Sequence, residues 1–66
     1  MCLATVFCEK KKTDDEPTAI MEEAQTIEVN DDGTITCRNL FDEVRTIAGS
    51  IKSIDFARSE VYVYTT

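Results

Sequence analysis

The amino-acid sequence predicts an all-β fold, a small curled antiparallel sheet or barrel of about six short strands. Apolar and polar residues alternate along several segments, an Asp32-Gly33 pair separates two of them, and no segment has a convincing helical period. The 66 residues leave room for one hydrophobic core. We therefore expect residues 1–66 to form a single domain.

The first strand is expected over residues 3–9, where β-favouring residues alternate with a period of two. This alternation places Ala4, Val6 and Cys8 on one face of the strand. Residues 10–17 follow, a charged stretch that contains a strand-breaking proline and has no apolar period. We expect an exposed, mobile loop there.

The second and third strands are expected to form an antiparallel hairpin. Residues 26–29 alternate into the turn at residues 30–33, where glycine can adopt the positive φ that such turns require. The return strand is expected over residues 34–40. Its alternation directs Ile35 and Cys37 inward.

The second half of the sequence predicts three more strands. Residues 41–43 mark a turn before a strand over residues 44–48, which Gly49-Ser50 is expected to end. A fifth strand follows, with a bulge near Lys52-Ser53, because its apolar residues do not keep one parity. The last strand, residues 60–65, has valines on one face and tyrosines on the other.

Composition and charge exclude several classes of function. The chain has no histidine, which rules out histidine-based triads and imidazole metal sites, so we expect no enzyme. The net charge of -6 repels phosphates and disfavours nucleic acid as a partner. The sequence shows neither a membrane span nor a secretory signal, so a cytoplasmic location is expected. Because so small a core gives limited stability, we also expect a homodimer.

The three cysteines differ in their placement along the chain. Cys2 and Cys8 would lie roughly 20 Å apart along one strand, too far for a disulfide. Cys8 and Cys37 share parity with apolar neighbours, which indicates core packing. Cys2 stands beside main-chain nitrogens, such as that of Leu3, where a ligand can approach. A thiolate with deprotonated amide nitrogens is a strong-field donor set that suits square-planar nickel or copper.

Other charged and aromatic groups have simpler interpretations. The acidic runs at residues 14–16 and 31–32 lack the spacing of a calcium loop and predict a solvated surface. The three lysines at residues 10–12 indicate a solvated strand end. Phe7, Tyr62 and Tyr64 are expected to pack a sheet face or a subunit interface, although a stacking platform for single-stranded bases is the alternative.

Several motifs in order resemble those of the CooT family, nickel-binding accessory proteins of carbon monoxide dehydrogenase maturation whose wider relatives have been labelled RNA-binding. The resemblance spans almost the whole chain. It is carried by the segments 1–6, Asp32-Gly33, 40–43, Gly49 and 51–56.

This resemblance implies a small all-β homodimer that binds one Ni(II) ion through Cys2 of each subunit. From the donor chemistry we further expect nearby main-chain nitrogens, such as that of Leu3, to complete a planar set. A nickel enzyme is then the expected client. Cys8, Cys37 and the loop at residues 10–17 lie outside the pattern that carries the resemblance. The alternative is a small-barrel RNA-binding or protein-adaptor module without metal.

Overall fold

A closed β-barrel forms the architecture of the computed structural model, which describes residues 3–11 and 16–65. Neighbouring strands follow chain order around the ring, and all are antiparallel except the pair that closes it, in which β5 runs parallel to β1. No helix within the described residues is long and apolar enough to cross a membrane. The strands are β1 (Ala4–Lys10), β2 (Thr18–Val29), β3 (Thr34–Asn39), β4 (Val44–Asp55) and β5 (Glu60–Thr65).

The all-β prediction is confirmed, with five strands in the described residues where about six were expected. The predicted break at Gly49-Ser50 is wrong, because β4 continues through it. Up to Ala48 this strand pairs with β3, and from Gly49 onwards it pairs with β5. The glycine therefore marks a bend between two pairings. A Cβ atom at Gly49 would lie 1.7 Å from the main-chain oxygen of Tyr64, so only glycine permits this close approach.

The strand β2 is longer than predicted, because it begins at Thr18 and the sequence pattern indicated only residues 26–29. Its first half pairs with β1 and its second half with β3. The register shifts between Ala24 and Thr26, next to Glu23, which has a positive φ of 57°. This bulge interrupts the alternation of apolar and polar residues, which explains why the sequence pattern did not predict the first half of the strand.

Other predicted features are confirmed. The register of β4 against β5 shifts between Ile51 and Ser53, which is the expected bulge. The hairpin turn is closed by hydrogen bonds from Asn30 N to Thr34 O and from Gly33 N to Asn30 O. Gly33 has a φ of 85°, the conformation that made glycine a turn signal.

The hydrophobic core fills the barrel. β5 contributes its two valines, while its tyrosines lie on the outer face, half-buried. Ile35 and Cys37 point inward as predicted and are fully buried. Burying one such aliphatic side chain contributes roughly 1.5–3 kcal/mol. The buried apolar residues are Val6, Met21, Ala24, Ile35, Cys37, Val61 and Val63.

The hairpin turn predicts a dependence of stability on pH. The Thr34 main-chain N–H and hydroxyl donate to Asp32 Oδ1 at 3.1 and 2.6 Å, and these bonds lower the pKa of Asp32 below its ordinary value of 3.8. The carboxylate therefore stabilises the fold above that value and loses this effect as the pH falls through its folded pKa. The difference in melting temperature between the wild type and Asp32→Ala should shrink as the pH falls below 3.8.

The neighbouring carboxylate gives the control for this measurement. Asp31 is exposed in the same turn, so Asp31→Ala should change the melting temperature little at any pH. A difference between the wild type and Asp32→Ala that stays constant from neutral to acidic pH would contradict this role of the Asp32 carboxylate.

Candidate functional site

The metal donors predicted from the sequence are the Cys2 thiolate and the main-chain nitrogen of Leu3. Cys2 is outside the described residues. Leu3 is described, is half-buried, and precedes Ala4, the first paired residue of the barrel, which lies opposite Ala24 of β2. The Leu3 main chain therefore leads directly into the corner where β2 turns from β1 to β3.

A surface groove of about 630 Å³ opens beside Leu3. We call it the Leu3 groove. It lies between the start of β1, the first half of β2 and the turn from β3 to β4. Its apolar part includes Leu3, Ile20, Phe41 and Val44, and its charged part consists of Glu22, Glu23, Glu43 and Arg45. The groove is therefore lined by three carboxylates and one guanidinium.

The β3–β4 turn that borders this groove is organised by Asn39. This is the only buried polar residue among those described. Its Oδ1 accepts hydrogen bonds from the main-chain N–H groups of Phe41 and Glu43 at 2.9 Å, and its Nδ2 donates to Glu43 Oε1 at 2.7 Å. Asp42 takes a positive φ of 63° within this turn. Leu40 N donates to the main-chain oxygen of Glu23, which joins the turn to the β2 bulge.

The two described cysteines pack as predicted. Cys37 is fully buried, and burial raises the pKa of its thiol, so the thiolate that a metal or an electrophile needs is disfavoured. Cys8 is half-buried against the core. Neither thiol lies at the Leu3 groove.

No group of three or more Cys, Asp or Glu side chains within residues 3–11 and 16–65 could hold a metal ion. In the acidic run at residues 31–32, the Asp32 carboxylate accepts hydrogen bonds from Thr34 and so stabilises the hairpin turn. In the run at residues 14–16, Glu16 is exposed and the other two residues lie outside the described segments.

The aromatic residues of β1 and β5 pack on one another on the outside of the barrel. Phe7 and Tyr62 stack with a centroid distance of 5.0 Å and an interplanar angle of 13°. The Tyr62 hydroxyl donates to Glu60 Oε1 at 3.0 Å, and this hydrogen bond raises the pKa of Tyr62. Tyr64 lies under the ammonium groups of Lys11 and Lys52 at 5.5 and 5.6 Å. This surface is the partly buried sheet face that the sequence suggested.

Lys52 has a second partner beside this aromatic surface. Its ammonium group forms an ion pair with Glu9, whose hydrogen bond raises the pKa of Lys52. A lysine held in this way is a weaker attractor of phosphate than a free one, because its charge is already matched.

Two features of the Leu3 groove were missed by the sequence analysis. Asn39 was not singled out, and the turn after it was predicted without its network. An asparagine directly before a turn was the available signal, because its side chain can bond the main chain two residues on. The second missed feature is Phe41, which is 70% exposed.

Comparison with known proteins assigns the family. A family model described as CO dehydrogenase accessory protein CooT matches residues 1–64. No curated protein shows significant similarity to the chain. The crystal structure of a candidate CooT from Carboxydothermus hydrogenoformans superposes with a TM-score of 0.82, covers 98% of each chain and is 17% identical, so it shows a shared fold. The chain belongs to the CooT family of CO dehydrogenase accessory proteins, and it is therefore an accessory protein and not itself an enzyme.

Proposed function

We propose that this protein is a nickel metallochaperone, with the metal held by the Cys2 thiolates of two subunits in a homodimer. The family match over residues 1–64 carries the proposal, since an accessory protein of CO dehydrogenase is tied to a nickel enzyme. That enzyme is the proposed client. Nickel is the cargo in this scheme, to be bound and released.

The chemistry of the available donors supports an N-terminal site. Cys37 is fully buried with a raised pKa, and the described residues contain no cluster of metal ligands. Cys2 and the main-chain nitrogens next to it, including that of Leu3, offer the soft thiolate and strong-field nitrogen donors that planar nickel prefers. One chain supplies half of a planar set in this way, and a second chain supplies the rest. A reducing cytoplasm would keep the Cys2 thiols available.

An apolar surface near the start of β1 supports the dimer. A pocket of about 210 Å³ at the end of the barrel is lined mainly by apolar side chains, including Ala4, Ile27, Ile54 and Phe56. Phe56 is 83% exposed, and water contact at so large an aromatic side chain is relieved when a second subunit covers it. Because Ala4 directly follows Leu3, a subunit seated there would bring two N-terminal segments close together.

The proposal is tested by loading the purified protein with Ni(II), removing free metal by gel filtration, and measuring bound nickel together with mass by light scattering. The expected result is one nickel ion for every two chains, in a species of twice the 7.4 kDa chain mass. Thiolate-to-nickel charge-transfer absorption should accompany it. Nickel bound to a 7.4 kDa monomer would contradict a site shared by two subunits. Failure to retain nickel would contradict the proposed function.

A further inference from the structure

The rim of the Leu3 groove displays a large aromatic side chain on a rigid turn. Phe41 is 70% exposed, and its neighbours Leu40 and Val44 are 44% and 47% exposed. Isolated exposed apolar residues are normal on protein surfaces, but Phe41 and Val44 line the same groove. The Asn39 hydrogen bonds hold this turn in one conformation. Because the main chain that carries Phe41 is already ordered, less conformational entropy is lost when a partner binds.

The charged part of the groove determines the kind of partner that fits. Glu22, Glu23 and Glu43 line it together with a single basic residue, Arg45. These carboxylates form no group able to hold a metal ion among the described residues. Carboxylates that line a groove together with an apolar anchor complement a surface whose basic residues flank an apolar side chain.

A second copy of this chain does not fit the groove well. In a two-fold contact the same patch faces itself, so the carboxylates of one groove would oppose those of the other. The occupant therefore has the opposite charge and is a different protein.

We propose that the Leu3 groove docks a basic segment of another protein. An apolar side chain of that segment packs against Phe41 and Val44, and its lysines or arginines face Glu22 and Glu23. This proposal rests on the accessory role of the family and does not depend on nickel binding. It places the partner beside Leu3 and hence beside the segment that would carry the metal.

Two synthetic amphipathic peptides of about 14 residues, long enough for roughly four helical turns, serve as probes. They share one leucine pattern, and their remaining positions are lysine in one peptide and glutamate in the other. Each is titrated into the full chain while main-chain amide signals are followed by NMR. The lysine peptide should shift the amide signals of Phe41, Val44 and Arg45, and the glutamate peptide should not. Added salt should weaken the binding.

Substitutions on the full chain locate the contact. Phe41→Ala should weaken binding of the lysine peptide by about tenfold or more, because truncating a central aromatic anchor has such effects at interfaces. The matched control is Val29→Ala, which truncates a 67% exposed apolar side chain outside the groove. Glu22→Gln should weaken binding about threefold, and Glu28→Gln, an exposed carboxylate of the same strand outside the groove lining, should not.

Equal binding of the two peptides, amide shifts centred on Phe56, an unchanged affinity after Phe41→Ala, or no binding at millimolar peptide would each overturn the docking proposal. A failure of the nickel proposal is separable from these outcomes. Cys2→Ser should leave peptide binding intact, and Phe41→Ala should leave nickel stoichiometry intact.

Discussion

Replacing Gly49 with alanine should prevent the barrel from folding stably. The new Cβ atom would lie 1.7 Å from the Tyr64 carbonyl oxygen and 2.8 Å from its carbonyl carbon, both main-chain atoms of the neighbouring strand. Relieving this clash requires β4 and β5 to separate at Gly49, whose N–H also donates to the Gly33 oxygen at 3.0 Å. We expect a loss of at least about 3 kcal/mol, which approaches the whole stability of a domain this small.

The measurement is urea unfolding followed by far-ultraviolet circular dichroism. Gly33→Ala is the matched control, because a Cβ at Gly33 meets nothing within 4 Å and only the φ of 85° is strained. That substitution should cost about 1 kcal/mol and leave the domain folded. A Gly49→Ala protein as stable as Gly33→Ala would show that β4 and β5 can move apart at little cost.

The second large effect is expected from Cys2→Ser, which should abolish the retention of nickel. Serine has nearly the volume of cysteine, but its hydroxyl does not ionise at neutral pH and cannot replace a soft thiolate. Loss of a residue that supports a metal ligand can lower metal affinity by roughly a hundredfold. Because Cys2 is itself the proposed ligand, the nickel affinity should fall by more than this. Charge-transfer absorption should disappear, while the melting temperature of the metal-free protein should change little.

Acidification should reproduce this effect in the wild type, because thiols must lose their protons before they coordinate a metal. Cys8→Ser and Cys37→Ser are the matched controls. Cys37→Ser should lower stability, since it puts a hydroxyl into the closed core, yet both variants should keep the absorption band. Full nickel binding by Cys2→Ser, with loss in either control, would move the site away from the N-terminus.

Much of the barrel could be predicted from the sequence because local alternation reports which side chains face inward. Ile35 and Cys37 were assigned to the inward face correctly in this way, and the separation of β5 into a valine face and a tyrosine face was also correct. The bulge beside Lys52 was also predictable, since a bulge changes the parity of the apolar residues that follow it.

The features that could not be predicted depend on partners distant in the sequence. In the sequence Gly49 resembles a strand end. The reason that glycine is needed there is the close approach of the Tyr64 main chain on the neighbouring strand, which the local sequence does not show. The parallel pairing of β1 with β5 likewise has no local signal. The candidate site has a contact of the same kind. The main-chain hydrogen bond from Leu40 N to the Glu23 oxygen, which fixes one rim of the Leu3 groove, joins residues distant in the sequence. The role of Cys2 stays a prediction, because that residue lies outside the described part of the chain.

The parallel pair that closes the ring, with Thr5 opposite Glu60 and Lys10 opposite Thr65, has a consequence for the order of folding. The four antiparallel pairings join strands that are consecutive in the chain and can form early at little loop-closure cost. The ring closes only when the first and last strands meet, so this step is expected to limit the folding rate. During synthesis on the ribosome, one edge of β1 stays unpaired until β5 has emerged. Such an edge can pair with another nascent chain. Closure therefore protects the finished protein from the aggregation to which its incomplete chain is exposed.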